Sequence, residues 1–73
     1  MDRVTIEGNL AQIERDLRAA SEDIAQQHET LKELVRHGED TTEAVRSIVI
    51  LEHTHLVFCS LRSQLADELA ALD

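Results

Sequence analysis

Between Ile48 and Leu61 the chain reads IVILEHTHLVFCSL, its most apolar segment, and this stretch limits what the chain can fold into. Set on a helix at about 100° per residue, Ala44, Ile48, Leu51, His55, Phe58, Arg62, Leu65, Leu69 and Leu72 recur at spacings of four and three. They form one stripe, which suits one neighbouring helix. The middle of the helix carries more. Ile50, Val57 and Leu61 flank the stripe on one side, and Val45, Val49, Leu56 and Cys59 on the other. Only Arg46, His53 and Ser60 keep a polar line along the back. A helix apolar nearly all round is buried by several neighbours. A chain of 73 residues is not expected to supply them alone.

The preceding segment has a different pattern. Ile6, Leu10, Ile13, Leu17, Ala20, Ile24, His28, Leu31 and Val35 make a narrow stripe, with charged residues such as Glu14, Arg15, Arg18, Glu22 and Glu29 elsewhere. That predicts a helix with one apolar face and a solvated back. Asp2 is a candidate N-cap. Asn9, with Gln12 three residues on, is an alternative start, but Ile6 already continues the stripe and favours the earlier one. Between the two patterns lies His37-Gly38-Glu39-Asp40-Thr41-Thr42-Glu43. Gly38 can take the left-handed conformation that closes a helix. Asp40 can cap the next one, with Glu43 as its capping-box partner. No proline and only two glycines occur, which suits long helices and not a β fold.

The expected fold is therefore all-α: an antiparallel two-helix hairpin in a single domain, 1–73, with helices over about 3–37 and 41–72 and a turn at 38–40. A lone hairpin buries one seam, and small scaffolds barely balance the entropy of ordering the chain without a staple. An internal disulfide is excluded because Cys59 is the only cysteine. Burying each spare apolar side chain of the second helix contributes roughly 1.5–3 kcal/mol. Two hairpins pairing as a homodimeric four-helix bundle is the simplest way to bury them. Val49, Ile50, Leu51, Leu56, Val57, Phe58 and Leu61 are the candidate interface residues.

Composition narrows the partners. Fifteen acidic and seven basic residues give a net charge of −8, which opposes nucleic acid and anionic membrane surfaces. Phe58 is the only aromatic residue, so there is no stacking platform for bases or sugars. The lone cysteine fits a reducing cytoplasm, and its apolar neighbours read as a buried thiol. No export signal is visible at the N-terminus. Ile48–Leu61, carrying Glu52, His53 and His55, is too short and too polar for a membrane span of about 20 residues. No membrane and no nucleic-acid partner is expected.

Chemistry has few footholds. His28 and His55 fall on the predicted seam with Glu52 close in sequence, and imidazoles and a carboxylate in a bundle core can hold a metal. Di-iron bundles, however, place Glu-x-x-His on paired helices, and neither seam histidine is read as part of one. The two histidines are read as layer residues bonded to each other, to Gln27 or to water. His53 follows Glu52 on the polar back, as an exposed histidine does in phosphotransfer bundles, but lacks their neighbouring lysine and glycine. No phosphate loop, Cys-x-x-Cys or oriented nucleophile is present. No catalytic residue, cofactor or native metal is expected.

The segment Gly38-Glu39-Asp40-Thr41-Thr42-Glu43-Ala44, preceded by Leu31, Leu34 and Val35, resembles the turn of short alphaproteobacterial two-helix proteins of unknown function. The resemblance covers about residues 6–70 and is specific only at the turn. It implies a two-helix protein of a bacterial cytoplasm and brings no activity, cofactor or site residue. The expected function is protein–protein interaction, as a small adaptor or regulator. A metal- or ligand-responsive bundle using His28, Glu52 and His55 is the alternative.

Overall fold

The computed structural model describes residues 2–72; Met1 and Asp73 lie outside them. Two helices account for nearly all of it: α1, Arg3–Arg36, and α2, Thr42–Ala71. They pack against each other as an antiparallel hairpin of 55 × 14 × 12 Å. No strand occurs among the described residues.

The helix ends explain the bounds. Asp2 is extended (φ −82°, ψ 168°), and its Oδ1 accepts from the Thr5 amide at 2.8 Å, satisfying one of the donors that a helix start leaves open. Asn9 sits inside α1, so the early start is the one adopted. At the other end Gly38 takes φ 68°. Its amide donates to the Val35 carbonyl at 3.1 Å, and that of Glu39 to the Leu34 carbonyl at 2.9 Å. These are the two crossing bonds of a Schellman motif.

The start of α2 differs from the capping box expected of Asp40 and Glu43. Asp40 Oδ1 accepts from both the amide (3.0 Å) and the hydroxyl (2.7 Å) of Thr42, two residues on. That is an Asx-type turn. Thr41 is the nominal N-cap and makes no side-chain cap bond. Glu43 bonds Arg46 at 2.7 Å, one helical turn further on. With the Asp40 carboxylate already held by Thr42, the chain enters α2 one residue later.

Between the helices runs one apolar seam. Ile6, Leu17 and Ala20 of α1 and Ala44, Ile48 and Leu65 of α2 are buried. Leu10, Ile13, Ile24, Leu31 and Leu34 are half-buried on α1, as are Leu51, Phe58 and Leu69 on α2. The α1 seam therefore runs 6, 10, 13, 17, 20, 24, 27, 31, 34, a strict alternation of four and three. His28 and Val35 were expected on it and are not. Gln27 is half-buried and His28 exposed; Leu34 is half-buried and Val35 64% exposed. A straight helix drifts by about 20° per heptad from a seven-residue seam, so projection at 3.6 residues per turn moves one position too far after several turns. The pairs Arg3–Glu7, Glu29–Lys32, Glu33–Arg36 and Glu43–Arg46 all run within one helix and are exposed. Such pairs contribute about 0–1 kcal/mol each, so the seam and not the charges holds the hairpin.

The two glycines give a first prediction. A Cβ on Gly8 meets nothing within 4 Å, and Gly8 is helical and exposed. Gly8→Ala should raise stability by about 1 kcal/mol. Gly38→Ala also has space but would force a side chain to φ 68°, and should destabilise by about 1–2 kcal/mol. Urea unfolding of the three proteins at one concentration checks both signs.

A second prediction concerns acid. The bonds from Thr42 hold the Asp40 carboxyl below its ordinary value of 3.8, and those from Thr5 do the same for Asp2. A carboxyl that is a stronger acid folded than unfolded adds stability above its unfolded value, and loses it as pH falls through the folded one. Asp40→Ala should therefore have a lower Tm than the wild type at pH 7. The gap should close as the pH is taken below 3.8. A gap that stays constant with pH would place the cap elsewhere.

Candidate functional site

Two features stand apart from ordinary hairpin packing. One is a polar interruption of the seam around His55; the other is the face that α2 turns away from α1.

His55 is half-buried at a seam position of α2. Its Nε2 lies 3.3 Å from Ser21 Oγ of α1, and its Nδ1 lies 3.7 Å from Cys59 Sγ. A neutral imidazole has one donor and one acceptor nitrogen, so the ring can satisfy both neighbours by choice of tautomer. An open groove beside it is lined by Leu17, Arg18, Glu22 and Arg62. Arg62 occupies a seam position yet is exposed. This is where a polar line replaces apolar contact and the groove opens.

The other proposed ligands are separate from His55. His28 Nε2 lies 3.8 Å from Glu52 Oε1, both groups about half exposed. This ion pair crosses from α1 to α2, and it requires a protonated ring. His28 and Glu52 are thus together, and His55 is held by Ser21 and Cys59. Among the described residues no three His, Cys, Asp or Glu side chains converge to hold a metal. The reading that neither seam histidine belongs to a Glu-x-x-His was wrong for His55, and a second spacing on α2 went unremarked. Glu52 and His55 form a single Glu-x-x-His, and His55 and Cys59 sit four apart, facing one another on the same side of the helix. Spacing alone carried both signals.

The second feature is larger. Val49 (61% exposed), Ile50 (58%), Leu56 (66%), Val57 (45%) and Leu61 (40%) leave much of their surface in solvent. Val45 joins them, at 46%. Of the seven candidate interface residues, Leu51 and Phe58 are instead half-buried. Their places in the stripe that meets α1 account for this. Monomeric soluble proteins rarely expose contiguous apolar patches of more than a few hundred Å². By length and composition alone, α2 also passes for a membrane-crossing helix, and only 11% of its most apolar 18-residue window is buried in the hairpin.

Compared with protein families, curated proteins and solved structures, the chain matches none.

Proposed function

We propose that this chain is a non-catalytic helical-bundle protein that works by protein–protein interaction: two hairpins pair into a homodimeric four-helix bundle, which serves as a small adaptor or regulator in the cytoplasm. The observation that carries this reading is the uncovered apolar face of α2, with Val45, Val49, Ile50, Leu56, Val57 and Leu61 all at least 40% exposed. One seam covers one side of a helix, and a helix apolar on its other sides needs a second neighbour.

A protein neighbour fits this face better than lipid does. A bilayer span of α2 would carry Glu52, His53 and His55 into hydrocarbon, where a charge at the centre of a helix costs at least about 2.5 kcal/mol. It would also strip α1 of the seam that buries Ile6, Leu17 and Ala20. Pairing through protein keeps α1 seated and its charged back in water. The net charge of −8 likewise opposes nucleic acid and anionic lipid.

The test is solution mass by light scattering over a range of concentrations. The untagged chain should run at twice 8.2 kDa. Leu56→Asp and Val57→Asp should each shift it to the monomer mass or lower its helicity. Two variants that stay dimeric and fully helical would refute this interface. A monomer that floats with neutral lipid vesicles would replace the protein partner with a membrane.

A second reading rests on His55. Its contacts with Ser21 and Cys59 bring a soft ligand and an imidazole together, and Glu52 lies three residues before it. A metal-responsive bundle would recruit these groups, with His28 beside Glu52 as the nearest further ligand. In that case zinc should raise the Tm, and His55→Ala should abolish the rise. An unchanged Tm at a tenfold molar excess of zinc would eliminate this reading.

A further inference from the structure

The exposed apolar residues of α2 are arranged symmetrically about one position. Val45 and Leu61 lie eight residues either side of His53, Val49 and Val57 four, and Ile50 and Leu56 three. These six are the exposed large apolar residues of α2. Around the axis they are balanced too. His53 lies on the exposed back line with Arg46 and Ser60, one heptad before and after it. Val45, Val49 and Leu56 fall on one side of that line, and Ile50, Val57 and Leu61 on the other.

We infer that the second copy docks with its α2 antiparallel to this one, on a twofold axis that passes beside His53. This rests on the homodimer proposed above and adds its geometry. In a twofold interface, when residue i meets residue j, residue j meets residue i. Antiparallel helices therefore match apolar to apolar only if the pattern reads alike in both directions from the axis. A parallel pair makes no such demand. Here the pattern does read alike. Val49 packs beside Leu56 of the second copy along one edge, and Ile50 beside Val57 along the other. His53 faces His53 at the centre.

Charge favours the same arrangement. A parallel pair in register would set Arg46 against Arg46 on the line of contact. The antiparallel pair sets Arg46 level with Ser60 and holds the two guanidinium groups about 21 Å apart along the axis, at 1.5 Å per residue. Each Arg46 keeps its own Glu43, 2.7 Å away.

Disulfide trapping tests the axis. In a Cys59→Ser background, which removes the native thiol, His53→Cys should give a dominant cross-linked dimer under mild oxidation. Facing positions on close-packed helices meet the requirement of about 4.4–6.8 Å between Cα atoms. Arg46→Cys alone should give none, and neither should Ser60→Cys alone. Arg46→Cys and Ser60→Cys proteins mixed after unfolding and refolding should cross-link to each other. This mixed pair tests the geometry independently if substitution of His53 disturbs the helix. A dimer by light scattering in which Arg46→Cys cross-links to itself overturns the antiparallel axis and leaves the homodimer standing. The same holds for a dimer in which neither His53→Cys nor the mixed pair cross-links. A monomer in the Cys59→Ser background, read by light scattering before oxidation, overturns the homodimer itself.

Discussion

An α-helix has more surface than one neighbour can cover, and that constraint organises this molecule. α1 largely accepts it: apart from Val4 and Val35 near its ends, its large apolar residues form a single narrow seam, and its remaining surface is mostly polar. α2 does not. It gives Ala44, Ile48 and Leu65 to the hairpin seam and still exposes six large apolar side chains around its middle. The two helices lie in one hairpin, yet only α1 has an outer surface suited to water. The asymmetry, more than any single residue, defines what a partner would have to do. It would cover α2 and leave α1 where it is.

Much of the hairpin was legible in the sequence because its signals are local. Gly38 at φ 68° closes α1, Asp2 opens it, and a run of alternating fours and threes places Ile6 through Ile24 on the seam. What went astray needed information beyond one turn. His28 and Val35 were misplaced because a seam between two helices follows a repeat of 3.5 residues, and a small angular error accumulates over about six turns from Ile6. The capping box failed at Asp40 because Thr42 offers the carboxylate an amide and a hydroxyl together, nearer than the position a box would use. Leu51 and Phe58 were named both as stripe residues and as interface candidates, and the hairpin half-buries them. Whether the outer face is occupied lies beyond local signals altogether, because an apolar residue waiting for a partner has the same side chain as one packed in a core.

The polar residues on the seam bear on register. An apolar seam with a strict seven-residue repeat can slip by a heptad and still match leucine to leucine, and a polar group at a core position is the best-attested means of preventing that. Gln27 on α1 and His55 on α2 interrupt the seam at different heights, and His55 has a specific counterpart in Ser21. Sliding the helices by seven residues would separate that pair and set the half-buried ring level with Glu14 or His28 in place of Ser21. The tight turn at 38–41 opposes the same slip from the end of the hairpin. The polar contact of His55 thus has a structural use that needs no ligand.

The same reasoning separates the two faces of α2. Toward α1, specificity comes from a turn, a seam and a polar pair. Toward solvent there is no turn to fix orientation and no cross-helix pair to fix register. Whatever selects a partner there has to come from the distribution of apolar and polar side chains alone. A line of Arg46, His53 and Ser60 running between two apolar flanks supplies such a selection. An incoming helix that lies along the line must meet polar groups at heptad intervals and apolar groups on both sides. A uniformly apolar helix would leave the Arg46 guanidinium without water, whereas one that brings a hydroxyl to that level does not. The second copy of this chain brings Ser60 there when its direction is reversed. The polar line, which at first counts against burial, is what makes the orientation of a burying partner matter.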